Sequence, residues 1–223
     1  MLDIVSVAFL GFLLGLRHAT DADHVVAVTA IVARERSVWR AARIGALWGV
    51  GHSVTVLAVG GTLVATRYVI PPRIALGLEF GVALMLIVLG FANLRHDPPS
   101  SDSDSLAAPA RVRGSSWKPL VVGTVHGLAG SAAVSLLVLA TIRSTSGAIA
   151  YLVIFGAGTV AGMMLVTLLF AAPARFAARR ASRMQRGIRL AAGALSIAFG
   201  MLLARELVVH GGLLSDTPTW SPR

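Results

Sequence analysis

One short run of this sequence concentrates the side chains that can do chemistry. Five ionisable groups fall within eight residues, in an otherwise apolar segment: Arg17-His18-Ala19-Thr20-Asp21-Ala22-Asp23-His24. The segment is long enough to lie in a membrane, where an ionisable side chain costs roughly 3 kcal/mol or more unless it is paired, hydrated or bound to a cation. These side chains are therefore functional candidates.

The spacing within this run predicts a metal-binding face. At about 100° per residue, an ideal helix places His18, Asp21 and His24 on one face. Two imidazoles and a carboxylate form a nitrogen and oxygen site, which suits nickel, cobalt, copper or zinc. His24 and Asp21 are the strongest candidates for direct ligands. Asp23 points elsewhere on an ideal helix, so it would pair with Arg17, support the ligands from behind, or join the site if the helix is broken.

Two further histidines lie at a similar depth in other apolar segments. At about 1.5 Å per residue, His24, His52 and His126 all lie roughly 12–15 Å from the same membrane edge. A polar loop with solvated charges would explain the first run alone but not this recurrence, so the pattern favours metal coordination over packing. The two remaining histidines, His96 and His210, lie at segment ends and are expected at the membrane interface.

The composition predicts an integral membrane protein. Of the 223 residues, 56% are hydrophobic and 13% are charged, which is about half the charged fraction of ordinary soluble domains. The net charge of +10 does not indicate nucleic-acid binding, because the arginines lie in short connections and there serve as topology signals facing anionic lipid. Cysteine is absent, which excludes disulfides, thiolate metal sites and thiol redox chemistry. Asp3, in place of a basic leader, argues against a cleaved signal peptide.

Six predicted transmembrane helices, A to F, must position these side chains. They cover residues 4–33, 44–66, 74–94, 119–141, 148–171 and 188–209. Fourteen of the 20 Lys and Arg residues lie in or beside the A–B, C–D and E–F connections, so the positive-inside rule places these connections in the cytoplasm and both termini outside. Helix A is about 45 Å long for a hydrocarbon core of about 30 Å, so it must tilt, break near residues 11–17, or form a re-entrant pair.

The two halves of the chain resemble each other. His18 corresponds to His126, segment 48–52 corresponds to segment 155–159, and Gly90 corresponds to Gly200. Glycine-rich membrane helices can look alike by chance, but here three successive helices keep nearly one offset in the numbering. Because each half has three spans, the second half must be inverted relative to the first. Many secondary transporters are built in this way, with the substrate site near the midplane between the halves.

The sequence therefore predicts an all-α polytopic membrane helix bundle. About six transmembrane helices form two inverted three-helix repeats, residues 1–95 and 119–210. A flexible cytoplasmic linker rich in Ser, Pro, Asp and Ala, residues 96–118, joins the repeats, and residues 211–223 form a disordered tail.

Three motifs carry a family resemblance. The run from residue 17 to residue 24 resembles the His-x4-Asp-His signature of the nickel/cobalt transporter (NiCoT) family. A second motif of that family resembles Gly51-His52-Ser53. A motif of the family's shorter six-span nickel permeases, the UreH-type urease-accessory branch, resembles His126-Gly127-Leu128-Ala129-Gly130-Ser131. The resemblance implies that the metal path includes five residues: His18, Asp21, Asp23, His24, His52. The chain departs from eight-span members in lacking further acidic motifs in its second half, and in having Thr20 where a bulkier apolar residue is usual.

These observations predict a secondary-type carrier of Ni²⁺ or Co²⁺ in the cell membrane, which is not an enzyme and has no cofactor or nucleic-acid partner. The predicted metal-binding residues are His18, Asp21, Asp23, His24, His52 and His126. Uptake is favoured, because nickel exporters often carry a His-rich cytoplasmic loop and this linker has only His96. The alternative is a metal exporter, or a proton-coupled carrier that uses the cluster as a proton relay. An intramembrane hydrolase is disfavoured, since neither His-Glu-x-x-His nor Gly-x-Ser-x-Gly occurs.

Overall fold

The computed structural model describes residues 4–220, apart from 34, 36, 67, 69, 96–116, 130–141, 143 and 181. The secondary structure of these residues is helical, in α1 (Ile4–His18), α2 (Ala22–Val32), α3 (Val38–Thr66), α4 (Pro72–Arg95), α5 (Lys118–Leu128), α6 (Thr145–Arg180) and α7 (Ser182–Val209). Most of the predicted linker, and predicted helix D beyond Ala129, lie outside the described residues.

Four segments of these helices are long and apolar enough to cross a membrane. They are Val38–Thr66, Pro72–Arg95, Thr145–Ala172 and Arg186–Val209. A helix satisfies its backbone hydrogen bonds internally, as hydrocarbon requires. Large apolar side chains point away from the protein interior, as a lipid-facing surface requires; Val88 is 65% exposed and Leu165 is 56% exposed. These spans confirm an all-helical, multi-pass membrane protein, at the positions predicted for helices B, C, E and F.

Predicted helix A is two short helices, α1 of 15 residues and α2 of 11. The break lies at residues 19–21, beyond the region 11–17 where a break was expected. The Thr20 hydroxyl and the Thr20 N–H both donate to the carbonyl oxygen of Arg17, at 2.6 and 2.8 Å. Such local hydrogen bonds compete with helix continuation. Asp21 then has an extended backbone, with φ −61° and ψ 148°, and α2 begins after it.

A glycine within the expected break region serves helix packing instead. Gly15 lies against α6, where an added Cβ atom would collide with the carbonyl oxygen of Phe155. In the other half, a Cβ atom at Gly123 of α5 would collide with the carbonyl oxygen of Trp48 in α3. Gly123 follows Gly15, and Phe155 follows Trp48, by nearly the same distance along the chain, which is the offset between the two halves. The α1–α6 contact therefore has a counterpart in the α5–α3 contact.

A second pair of close approaches repeats in the same way. A Cβ atom at Gly51 would collide with the carbonyl oxygen of Leu120, and one at Gly158 would collide with the carbonyl oxygen of Phe12. The offset between the halves again relates Gly51 to Gly158 and Phe12 to Leu120. Because small residues let two backbones approach closely, these glycines hold the four helices together in a membrane.

The helices that correspond between the halves run antiparallel where they touch. Along α3 and α6 the positions in contact are 45 with 167, 49 with 160, and 60 with 152. Along α4 and α7 they are 83 with 200, and 90 with 193. One residue number rises as the other falls in both pairs, so α3 runs opposite to α6, and α4 runs opposite to α7.

Candidate metal centre

Four histidines from four helices meet in the interior. His18 ends α1, His24 lies in the first turn of α2, and His52 and His126 lie within α3 and α5. The exposed fraction is 6% for His18 and 0% for each of the other three. Gly127 lets α5 approach α3, since a Cβ atom there would lie 2.7 Å from the carbonyl oxygen of His52. Four imidazoles are thus packed into a region of the protein from which water is excluded.

His18 and His52 face each other through their Nε2 atoms. These two nitrogens are 3.2 Å apart, and Nδ1 of His18 is 2.7 Å from Oδ2 of Asp21. Two nitrogens bound to one ion at about 2.0–2.1 Å lie roughly 2.9–3.4 Å apart in octahedral or tetrahedral geometry. The 3.2 Å separation is that of an N–H···N hydrogen bond between the two rings, and it also falls within the range for two ligands of one ion. Asp21 orients the His18 ring through its other nitrogen, as carboxylates commonly do for metal-binding histidines.

Asp23 links two of the other histidines. Its Oδ1 accepts a hydrogen bond from the backbone N–H of His24 at 2.9 Å and lies 3.0 Å from Nδ1 of the same residue. Its Oδ2 lies 3.0 Å from Nε2 of His126. On one continuous helix Asp23 would point away from the face shared by His18 and His24. The break at residues 19–21 changes the course of the chain and places this carboxylate in the cluster.

Two sets of three side chains have the geometry to hold a metal ion, with ligand atoms within 4.8 Å of one another in each set. The first set is His18, His24 and His52, and the second is Asp23, His24 and His126. Three buried imidazole nitrogens of these sets have no hydrogen-bond partner among the described residues: Nε2 of His24, Nδ1 of His52 and Nδ1 of His126. Unpartnered buried polar atoms are rare in native proteins and call for an explanation. Imidazole and carboxylate donors are those that bind divalent transition metals.

A curated relative is similar to this chain along almost its whole length. The urease accessory protein UreH of Bacillus sp. (strain TB-90) is 33% identical over an alignment of 219 residues, which covers 95% of this chain and 96% of the relative. The chain belongs to the UreH branch of the nickel/cobalt transporter family. The resemblance carried by the three motifs is thereby confirmed. No family model and no solved structure matches the chain.

The relative's name describes a urease accessory protein. Membership of the UreH branch therefore agrees with the prediction that this chain is not an enzyme. Together with the four helices that are long and apolar enough to cross a membrane, it identifies a multi-pass membrane protein, and the interior of this protein holds a cluster of histidine and aspartate side chains.

All six predicted site residues of this UreH-branch protein lie in one cluster. The sequence predicts Asp21 to be a direct ligand. In the structure, Asp21 contacts Nδ1 of His18 and belongs to neither set of three. The cluster reaches the surface at the helix break, where the side chains of Asp21 and Asp23 are 48% and 28% exposed. His210 is 63% exposed and is in neither set, and His96 lies outside the described residues.

Two aromatic side chains beside the cluster were missed by the sequence analysis as parts of the site. The ring of Phe155 lies 5.5 Å from that of His18, centroid to centroid. The ring of Trp48 lies 5.8 Å from that of His24 and 5.6 Å from that of His126. Both aromatic residues are buried, at 1% and 0% exposure. One signal was available in the sequence, since these two residues correspond to each other in the two halves.

Proposed function

We propose that this protein carries Ni²⁺ or Co²⁺ across the cell membrane in the direction of uptake. The observation that carries the proposal is the buried cluster of four histidines and two aspartates at the helix break. Membership of the UreH branch of the nickel/cobalt transporter family supports this substrate class. Both metals bind imidazole nitrogen and carboxylate oxygen, and the six ligand candidates offer these donors and no thiolate.

The cluster has the features of a transient site rather than a structural one. Structural zinc sites, the best-described case, are closed by four protein ligands, whereas sites that exchange ligands keep a position open. Each set here has three candidate ligands, so an ion would keep positions for incoming and leaving groups. Asp21 and Asp23 offset part of the ion's charge, and their partial exposure gives the ion a route between the cluster and the surface.

We also propose that residues 1–95 and 119–210 are inverted three-span repeats, with the predicted linker between them. The paired contacts of Gly15 with Phe155 and of Gly123 with Trp48 support this, as do the antiparallel courses of α3 with α6 and of α4 with α7. A twofold axis in the membrane plane would generate each of these features. The cluster draws ligands from both halves, as expected for a substrate site between inverted repeats.

The contacts of the C-terminal segment support the proposed topology. Arg73, in the first turn of α4, donates to the carbonyl oxygen of Ser215 at 2.6 Å, and the Trp220 indole N–H donates to Glu79, further along α4, at 2.7 Å. The C-terminal segment is thus in contact with the start of α4, which follows the B–C connection, and both the connection and the segment are predicted to be external. That residues 211–223 form a disordered tail stays a prediction.

A proton-coupled carrier of another small solute is a second candidate for the same cluster. The line of contacts from Asp21 through His18 to His52 is also an arrangement that relays protons in membrane transporters. A metal exporter would use the same ligands as an importer. Flux measurements distinguish the three functions.

The proposal is tested with the purified protein in liposomes that contain a metal-sensitive dye. Ni²⁺ and Co²⁺ should enter, whereas Mg²⁺ and Ca²⁺ should not, because these hard cations prefer sites made wholly of oxygen ligands. In intact cells, expression should raise the nickel content. A lowered content would identify an exporter, and solute-driven proton flux without metal flux would contradict metal transport.

A further inference from the structure

The two candidate ligand sets overlap in one residue. His24 belongs to both, whereas His18 and His52 belong only to the first set, and Asp23 and His126 only to the second. The ring of His24 lies 4.6 Å from that of His18 and 4.2 Å from that of His126, centroid to centroid. His24 therefore lies between the two sets.

The outer members of the two sets correspond in the sequence repeat. The offset between the halves relates His18 to His126, and it also relates Trp48 to Phe155, the aromatic residues beside them. His18 packs against Phe155, and His126 packs against Trp48. Each set thus contains a histidine that packs against a buried aromatic ring. The offset between the halves relates the His18–Phe155 pair to the His126–Trp48 pair.

We propose that one metal ion occupies the two sets in turn during transport. Station one is His18, His24 and His52, and station two is Asp23, His24 and His126. His24 stays bound to the ion while the other ligands exchange. The inference rests on the proposed function, because it describes how the same cluster moves its substrate.

The chemistry of the shared histidine allows one ion at a time. A neutral imidazole has one lone pair for metal binding, since its other nitrogen carries a proton. Two divalent cations at neighbouring stations would also repel each other strongly in a water-excluded interior. Nδ1 of His24 faces Asp23, and Nε2 has no partner among the described residues. One ring can therefore serve either station but not both.

The two stations differ in ligand chemistry, which makes them distinguishable. Station one offers three nitrogens, and station two offers two nitrogens and a carboxylate oxygen. Co²⁺ reports this difference through its visible absorption, because its d–d bands depend on ligand type and geometry. Gln keeps the polarity of His but is a poor ligand for these metals. His52→Gln should therefore impair station one alone, and His126→Gln should impair station two alone.

The experiment is a Co²⁺ titration of the purified protein in detergent, followed by absorption, together with flux into liposomes. The wild-type protein should bind one Co²⁺, with a spectrum that is a weighted sum of those of the two variants. His52→Gln and His126→Gln should each still bind one Co²⁺ but transport it at least about tenfold more slowly. His24→Gln should lose binding. Size-exclusion chromatography checks folding, and His18→Gln or Asp23→Asn replaces a variant that does not purify as a single species.

The outcomes separate the two-station inference from the proposed function. If either single-station variant loses Co²⁺ binding as fully as His24→Gln does, the cluster is one site and the two stations are wrong, although metal transport stands. Transport at the wild-type rate by either variant would also overturn the two stations. A wild-type protein that binds and moves no Co²⁺ or Ni²⁺ would overturn the proposed function and the stations with it.

Discussion

At the scale of single residues, the exposed carboxylate of Asp21 orients the buried ring of His18. Asp21 is not in either ligand set, yet its Oδ2 lies 2.7 Å from Nδ1 of His18 and so directs Nε2 of that ring toward His52. Loss of such a supporting carboxylate commonly reduces metal affinity about 10- to 100-fold. The effect of Asp21 on transport should therefore be one of affinity, exerted through His18.

Asp21→Asn keeps the size of the side chain but weakens its hydrogen bond with Nδ1 of His18. We expect the metal concentration for half-maximal nickel uptake to rise about tenfold or more, with a smaller change in maximal rate. Uptake rates measured over a range of nickel concentrations give both values. Asp216→Asn, at an exposed position outside the cluster, is the matched control. Equal half-saturation for Asp21→Asn and wild type would show that Asp21 does not support the site.

At the scale of helices, close backbone contacts hold the cluster together. α3 carries His52, and α5 carries His126. The two helices approach closely at Gly51, where a Cβ atom would collide with the carbonyl oxygen of Leu120. A backbone carbonyl cannot move aside as a flexible side chain can, so added volume at this position must push the helices apart.

Two glycines on α3 provide a matched pair of substitutions. Gly51→Ala should lower the thermal unfolding midpoint and weaken Co²⁺ binding, because overpacking typically costs about 1–3 kcal/mol. Gly61→Ala should be neutral or slightly stabilising, since nothing lies within 4 Å of a Cβ atom there and alanine favours a helix by about 1 kcal/mol over glycine. Thermal unfolding in detergent measures both effects. Equal midpoints would mean that the α3–α5 contact is looser than described.

The helices also show what could be predicted from the sequence. Hydropathy located helices B, C, E and F because hydrocarbon requires a minimum length of apolar helix. It did not locate the break in helix A, because the hydrogen bonds of Thr20 to Arg17 outweigh helix continuation at a position that composition does not mark. Asp23 could be assigned to the cluster only as a consequence of a break. Trp48 and Phe155 could be placed beside the cluster only once it was known which helices touch.

At the scale of the whole molecule, the proposed inverted repeats place the second half upside down relative to the first. An even number of spans then places both termini on one side of the membrane, and the positive-inside rule makes that side external. The chain contains no cysteine, so each introduced cysteine is a single reactive thiol. This makes the topology directly measurable.

Two single-cysteine variants test the topology. Ser215→Cys should react with a membrane-impermeant maleimide on intact cells, and Arg40→Cys should react only after the cells are permeabilised. Both positions are exposed, and the Arg40 side chain is 63% exposed, so differences in burial do not explain different labelling. Labelling of both variants from outside, or of Ser215→Cys only after permeabilisation, would contradict the proposed arrangement.

The measurement that tests the central claim most directly is nickel accumulation in cells that express a single variant of the shared histidine. His24 has an exposed fraction of 0% and belongs to both ligand sets. His24→Gln keeps a polar side chain of similar size but removes the imidazole nitrogens. It should reduce accumulation of labelled nickel to the level of cells without the protein, at an equal amount of inserted protein. His210→Gln, at an exposed histidine outside both sets, should accumulate nickel as the wild type does. Near-normal accumulation by His24→Gln would contradict the account, because it would mean that this histidine has a structural role and that the metal crosses elsewhere.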